Sequence, residues 1–186
     1  MDRGKAPGAA CRALAGAVSA AALGAAGCLM QASYSANVTT ADGAQIEVPL
    51  SREAVVVDDG AVGVKSFRFE PVAVEGGKGL AFGFELEFHP GVKPVSIVVD
   101  DVSDQPILSV YADNAPAFAK KDIWRALSPP HGAADPLVGW LSTLDNTVKV
   151  YRFTVKLSDG TTHVLRYPIF APAQMKAIMR ANLGFG

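Results

Sequence analysis

The clearest pattern along this chain is a strict alternation of residue types between positions 80 and 88. The even-numbered positions are all large and apolar: Leu80, Phe82, Phe84, Leu86 and Phe88. The positions between them hold Ala, Gly or Glu. Successive side chains of a β-strand point to opposite faces, so this spacing predicts a strand that buries its even-numbered face.

Shorter runs with the same period recur along the chain. They cover residues 44–50, 65–69, 95–99, 107–112, 151–157 and 163–169, with 53–57 and 72–74 as candidate edge strands. Turn-forming residues such as Asp159 and Gly160 separate the runs. About seven to nine short strands with this spacing favour an antiparallel β-sandwich, of the immunoglobulin-like or transthyretin-like kind.

The last two strands allow a test of register. A two-residue turn would place Phe153 opposite Arg166 and so mix apolar and polar side chains on each face. A three-residue loop over 158–160, with Gly160 in the left-handed conformation, places Phe153 opposite Leu165 instead. Because the buried face determines the register, we predict the three-residue loop.

The alternation is interrupted between about residues 115 and 145. Residues 118–127 have helical spacing, Pro129 and Pro130 end that pattern, and residues 136–141 can form a second short helical turn. A connection of this length is far longer than most loops of a β domain, and such segments often carry function. We therefore predict a helical excursion from the sandwich.

This excursion contains Trp124, Trp140 and His131, which are the candidate residues for binding a ligand or a partner. Two interpretations stay open at this point. The tryptophans can fold down as a plug over one end of the sandwich, or they can line a ligand groove or a partner surface. Tryptophan is a frequent anchor of binding sites because its ring supplies a large contact area.

The tail is predicted to be a helix over 172–184, since Pro172 suits a first helical turn and Gly184 suits a C-cap. One stripe of this helix is apolar: Met175, Ile178, Met179 and Leu183. We expect the stripe to pack against the sandwich, with Lys176 and Arg180 on the solvated face. The alternative is an amphipathic helix that binds a partner.

The sequence contains no nucleophile elbow, nucleotide-binding glycine pattern or His-Glu-x-x-His motif. His89, His131 and His163 are too scattered to predict a metal site from spacing. We therefore predict no catalytic residues and no cofactor.

A weak candidate for Ca²⁺ is the acidic turn that holds Asp100, Asp101 and Asp104, because Ca²⁺ prefers oxygen ligands from such loops. Acidic turns are nevertheless usually solvated, and Asp is common in them for reasons of local hydrogen bonding.

The N-terminal end has a different character. Arg3, Lys5 and Arg12 precede a charge-free apolar run over 13–27. A basic start, a short apolar stretch and small residues at its end are the features of a secretory signal. The run is shorter than the ~20 apolar residues that span a bilayer as a helix. The sequence therefore predicts an exported protein.

The end of this run, Ala-Ala-Gly-Cys over 25–28, resembles a bacterial lipoprotein signal. The resemblance implies cleavage before Cys28 and lipidation of its thiol, which would hold the protein at a membrane surface. Leu29 in the second mature position is compatible with the outer membrane. The family usually carries Leu where this chain has Ala25. The alternative is ordinary cleavage near Gly27 or Ala32, which would release a soluble periplasmic or secreted protein.

Composition agrees with this assignment. The two cysteines are Cys11, inside the signal, and Cys28 at its end, so cleavage leaves no pair for an intramolecular disulfide or a cysteine-based metal site. The chain has 17 basic and 18 acidic residues, and loss of the signal leaves 14 and 17. A mildly acidic domain without a basic run is a poor nucleic-acid binder.

The predicted organisation is a signal over 1–27, a polar tether over 28–42 and a β-sandwich domain over 43–186. The expected function is non-catalytic: an outer-membrane lipoprotein, facing the periplasm, that binds or scaffolds another envelope component. One alternative is a soluble ligand-binding module of the carbohydrate type, with Trp124 and Trp140 as stacking platforms. A third, an envelope hydrolase, lacks a visible nucleophile and base.

Overall fold

The computed structural model describes residues 35–50, 55–75, 77–143 and 145–183. The strands, in chain order, are β1 Ser35–Thr39, β2 Gln45–Pro49, β3 Val57–Asp58, β4 Val62–Val74, β5 Gly77–Phe88, β6 Pro94–Asp101, β7 Leu108–Asp113, β8 Ile123–Leu127, β9 Thr147–Leu157 and β10 Thr162–Ala171. One 3₁₀ turn, Gly139–Ser142, precedes β9, and the α-helix α1, Ala173–Leu183, follows β10. The fold is mainly β, as predicted.

Two four-stranded antiparallel sheets form the body of the domain. We call them sheet I, with the order β3-β4-β5-β8, and sheet II, with the order β10-β9-β6-β7. Their inner faces share one apolar core. Phe67 of sheet I lies 4.4 Å from Tyr151 of sheet II between ring centroids, and Phe84 lies 5.7 Å from Phe153. The sheets therefore pack face to face as a sandwich.

The alternation in β5 predicts its buried face correctly. Each of the five large side chains at its even positions is at most 2% exposed, and full burial of such a side chain contributes about 1.5–3 kcal/mol. Side chains of the neighbouring strands β4 and β8 partly cover the outer face of β5, as Arg68 does over Gly83. Glu85 on that face is 8% exposed and accepts a hydrogen bond of 2.7 Å from Arg125.

The predicted register of the last hairpin is confirmed. Phe153 pairs with Leu165, and Tyr151 pairs with Tyr167. The loop holds three residues, since Leu157 N–H donates to Thr161 O over 2.9 Å. Gly160 has a φ of 89°, in the left-handed region that glycine adopts without steric cost.

The polar segment predicted to be a tether contains a strand. Residues Ser35–Thr39 form β1, which pairs with β2 in a separate two-stranded sheet. The Ala41 N–H in the turn of this hairpin donates a hydrogen bond of 2.7 Å to Val102 O, directly after the end of β6. Backbone pairing does not require an apolar face, which explains why the side-chain pattern did not reveal this strand.

The prediction of a helical excursion over 115–145 is wrong for its first half. Residues Ile123–Leu127 form β8, which pairs with β5 at the edge of sheet I. The backbone N–H and C=O groups along the free edge of β5 need hydrogen-bond partners, which a strand supplies and a helix does not. This requirement outweighs the helical spacing of apolar residues over 118–127. Among the described residues of the excursion, the helical part is the 3₁₀ turn Gly139–Ser142.

The C-terminal helix is confirmed, but its faces differ from the prediction. Met175, Met179 and Leu183 pack against the core, whereas Ile178 is 63% exposed. Lys176, expected on the solvated face, is 0% exposed. Its burial follows from the position of α1 over the 3₁₀ turn, where the ammonium group finds several oxygen acceptors.

Candidate functional site

A cleft of about 600 Å³ opens between the loop that follows β6 and the segment that joins the 3₁₀ turn to β9. Its apolar wall consists of Pro106, Leu108, Pro136 and Trp140. Its polar lining consists of Asp101, Asp104, Gln105, Thr143, Asp145, Thr147 and Lys149. A concave site with an apolar wall and a few polar groups is the usual form of a small-ligand site.

The floor of the cleft is a buried charge pair at the ends of two neighbouring strands. Asp101 ends β6 and is 3% exposed, and Lys149 lies near the start of β9 and is 7% exposed. Lys149 Nζ is 3.0 Å from Asp101 Oδ2, but the contact lacks the geometry of a hydrogen bond. Asp101 Oδ1 accepts from the backbone N–H and the hydroxyl of Ser103. Asp101 Oδ2 itself is fully buried, so the adjacent Lys149 ammonium is the group that balances its charge.

The rim of the cleft carries two further carboxylates. Asp104 is 85% exposed and lies 3.6 Å from Lys149 Nζ. Asp145 is 75% exposed and lies 3.2 Å from Lys176 Nζ. Hydrogen bonds from Thr143 and Lys176 hold the pKa of Asp145 below its ordinary value, so this carboxylate is ionised at neutral pH.

Lys176 lies directly behind the rim and donates to groups on both sides of it. Its Nζ is 2.5 Å from Thr143 Oγ1 and 2.6 Å from Thr147 Oγ1, both of which line the cleft. It also donates to the Trp140 carbonyl over 3.3 Å. This ammonium group holds the 3₁₀ turn and the start of β9 together, so it shapes the cleft without facing into it.

The structure separates the two tryptophans. Trp140 lines the cleft with an 8% exposed side chain, packs 5.6 Å from the Phe69 ring, and donates its indole N–H to Leu137 O. Trp124 is 1% exposed and donates to Asp113 Oδ2 over 3.0 Å. Both belong to the core. They therefore do not form a joint stacking surface, and Trp140 is the tryptophan that borders the cleft.

His131 is not among the residues that line the cleft. Its Nδ1 is 2.8 Å from Asp135 Oδ2, and its ring packs 5.3 Å from the ring of Phe82. Its Nε2 is buried without a hydrogen-bond partner among the described residues. The side chain is 11% exposed, so this histidine is part of the packed interior.

The three carboxylates of the weak Ca²⁺ candidate do not converge. Asp100 accepts a hydrogen bond of 2.7 Å from Arg152 on the outer face of sheet II. Asp101 and Asp104 lie instead beside Lys149 on the inner side. Across the described ranges, no group of three or more His, Cys, Asp or Glu side chains is arranged to hold a metal ion.

One interaction that the sequence did not predict joins the N-terminal hairpin to sheet II. Asp42 Oδ2 accepts hydrogen bonds from Arg152 over 3.1 Å and from Arg166 over 2.7 Å. Burial raises the pKa of Asp42, but the hydrogen bonds from Arg166, Thr40 and Arg152 outweigh it and hold the pKa well below the ordinary value. More than a hundred positions separate Asp42 from these arginines, so no local motif could reveal the contact.

A second contact that the sequence did not predict lies at the hairpin between β9 and β10. His163 Nδ1 is 2.6 Å from Asp59 Oδ2, and its Nε2 is 3.2 Å from Thr161 Oγ1. This order of groups is that of a nucleophile, a base and an orienting carboxylate. Thr161 is exposed, however, and its hydroxyl also hydrogen bonds to Asp159 over 2.7 Å. In the described part of the chain no histidine lines the cleft.

Cys28, the predicted lipidation site, lies outside the described residues. None of the helices in the described ranges is long and apolar enough to cross a membrane.

Comparisons with known proteins return no relatives. No protein-family model matches the chain, and neither the curated proteins nor the solved structures contain a match.

Proposed function

We propose that this protein is a non-catalytic binding protein of the bacterial cell envelope, exported by its N-terminal signal and held at the outer membrane by a lipid on Cys28. The support for export is the basic, apolar and small-residue order of residues 1–28. The observation that supports binding is the cleft at Trp140. Its floor and rim consist of charged and hydroxyl groups held by neighbouring side chains, an arrangement suited to recognition.

The strand order supports an immunoglobulin-like assignment of the sandwich. The strands from β4 to β10 follow the order A, B, C, C′, E, F and G of that fold. Strands A, B and E then lie in sheet I, and C′, C, F and G lie in sheet II. Such sandwiches present loops at their two ends as binding sites, and the cleft is formed at one of these ends. Fold alone does not select a ligand.

A second candidate function is a soluble periplasmic module that binds a carbohydrate-type ligand. The specific observation in its favour is that Trp140 lines the cleft together with hydroxyl, amide and carboxylate groups. The buried position of Trp124 removes the paired stacking platform that this candidate was first expected to use. Trp140 alone would supply the aromatic contact.

The test combines two measurements on protein purified from its native membranes. We expect mass spectrometry to find an acylated N-terminus at Cys28, and Cys28→Ser to move the protein to the soluble fraction. We also expect affinity purification from detergent-solubilised membranes to recover a stoichiometric envelope component. An unmodified N-terminus at Cys28 or Ser33 would end the lipoprotein assignment. A soluble protein that binds a glycan array, with no protein partner, would select the second candidate.

A further inference from the structure

A polar contact of His163 bridges the two sheets at the end of the sandwich away from the cleft. His163 lies in β10 of sheet II, and its Nδ1 is 2.6 Å from Oδ2 of Asp59, in the turn between β3 and β4 of sheet I. Strand β9 connects the two ends of the domain. It begins at Thr147, which lines the cleft, and finishes at Leu157, next to the loop that precedes β10.

Both nitrogens of the His163 imidazole face hydrogen-bond acceptors. Nδ1 faces the carboxylate of Asp59, and an ionised carboxylate can only accept. Nε2 is 3.2 Å from Thr161 Oγ1, and the single proton of that hydroxyl is donated to Asp159 Oδ1 over 2.7 Å. The Thr161 oxygen is therefore left as an acceptor for Nε2. A ring that donates from both nitrogens is an imidazolium, so the network is complete only when His163 is protonated.

Both carboxylates of this network are ionised at neutral pH. Burial raises the pKa of Asp59, but hydrogen bonds from backbone N–H groups and from His163 outweigh it and lower the pKa. Hydrogen bonds from the Thr161 hydroxyl and backbone lower the pKa of Asp159. Neither carboxylate carries a proton to donate, so the imidazole must supply the protons of the network.

A second histidine contacts the same turn. His89, which follows β5, has its Nε2 3.6 Å from Oδ2 of Asp58. Asp58 ends β3, a strand of 2 residues that pairs with β4 through Val57 with Val64 and Asp58 with Gly63. A strand this short is held by few backbone hydrogen bonds, so the two histidine contacts form a large part of its attachment.

We propose that His89 and His163 form a pH-sensitive clasp on the turn between β3 and β4. The clasp is closed when the imidazoles are positively charged and opens when they lose that charge, since a neutral His163 donates from one nitrogen only. Histidine ordinarily titrates between about pH 5 and about pH 8, so the clasp opens as the pH rises through this range. Opening frees β3 and uncovers the β4 backbone at Gly63 and Val64. This inference is independent of the export signal and of the cleft.

Hydrogen exchange of the full chain measures the opening. The reporters are the amides of Asp59 and His89, which donate to Val62 O and Ala61 O. After correction for the intrinsic effect of pH on exchange, we expect their protection to fall by about twofold to tenfold between about pH 5 and about pH 8, the effect of partly exposed ion pairs. The Val102 amide, at the end of the domain near the cleft, is the internal control and should keep its protection.

Variants test the hydrogen-bond network. His163→Gln should remove most of the pH dependence and leave the reporters weakly protected throughout. Thr161→Val removes the acceptor of Nε2 and should also reduce the pH dependence. Its matched control, Thr161→Ser, keeps the hydroxyl and should behave as the parent. Thr161 is exposed, so both substitutions leave the core intact.

The protonation state is measured directly in protein with ¹⁵N-labelled histidine, where the His163 ring should carry two protons while the reporters are protected. Four results would overturn the proposal: a neutral His163 ring in the closed state, reporter protection that does not change with pH, equal behaviour of Thr161→Val and Thr161→Ser, or an equal fall at the Val102 amide. The last result would mean that the whole domain loses stability.

Discussion

Asp42 in the turn between β1 and β2 accepts a hydrogen bond of 2.7 Å from Arg166 in β10. Arg166 is the direct cross-strand partner of Arg152, which donates to the same carboxylate oxygen. One carboxylate therefore bridges two neighbouring guanidinium groups and holds the N-terminal hairpin against the outer face of sheet II. Asp100, which accepts from Arg152 over 2.7 Å, supplies the second negative charge.

We expect Asp42→Asn to lower the free energy of unfolding by about 1–3 kcal/mol, because it removes the charge from hydrogen bonds between ionised groups that are largely covered. Urea denaturation measures the change. Glu75→Gln, a change of an exposed carboxylate, is the control and should stay within about 0.5 kcal/mol of the parent. An equal effect of both variants would show that the contact contributes little.

The same contact makes the stability of the folded protein depend on pH. The pKa of Asp42 is lower in the folded protein than its ordinary value of 3.8, so its contribution to stability is complete above that value. The contribution is lost as the pH falls through the folded pKa. We expect the stability difference between the parent and Asp42→Asn to shrink below about pH 4. Denaturation midpoints at several pH values test this, and a difference that is constant down to pH 2 would contradict it.

Lys176→Met should destabilise the protein by about 1–3 kcal/mol, since it keeps the buried stem but removes the ammonium donor from the hydroxyl oxygens of Thr143 and Thr147. The Trp140 carbonyl keeps its hydrogen bond from the Thr143 hydroxyl. Arg180→Met on the same helix is the control, because Arg180 is only half-buried and makes a single hydrogen bond of 3.3 Å to Ser142 O. Thermal denaturation distinguishes the two. A smaller loss for Lys176→Met than for Arg180→Met would refute the assigned role.

Gly160→Ala should cost about 1–2 kcal/mol, the penalty for placing a side chain in the left-handed conformation. The penalty does not come from a steric clash with other residues, since an added Cβ at Gly160 meets nothing within 4 Å. Gly132→Ala is the matched control, because that glycine also has open space and lacks a positive φ. Equal stability of the two variants would show that the loop adapts to alanine.

Trp140→Ala tests the two interpretations of the excursion. Because Trp140 packs in the core against Phe69, we expect a loss of about 3–5 kcal/mol in the free energy of unfolding. Trp140→Phe should lose much less. If Trp140→Ala abolishes ligand binding with an unchanged melting temperature, the ring belongs to a binding groove and its packing contributes little.

Most strands of the sandwich, though not β8, could be predicted from the sequence because each buries one face, which the side-chain alternation reports directly. The pairing of Phe153 with Leu165 followed from the same rule, since a shift by one residue mixes the faces. The helix α1 was predictable from its stripe and its end signals, although the exposure of Ile178 was not.

The features that could not be predicted depend on contacts between distant parts of the chain. β8 is a strand because the backbone groups at the edge of β5 require hydrogen-bond partners. The amino-acid pattern of residues 123–127 does not reveal this requirement. From the sequence alone Lys176 is expected on the solvated face of the helix. It is buried because the fold brings Thr143 and Thr147 around its ammonium group. The cleft was equally hidden, because its floor joins Asp101 and Lys149 from two strands that are nearly fifty positions apart.

The N-terminal hairpin touches sheet II at the rim of the cleft. Ala41 is bonded both to the Val102 backbone and to the Gln105 side chain, and Gln105 lines the cleft. β1 begins at Ser35, a few residues after Cys28. The wall of the cleft at Gln105 thus depends on a hairpin that lies 64 positions earlier in the chain. Folding of that hairpin and the shape of the cleft are therefore coupled.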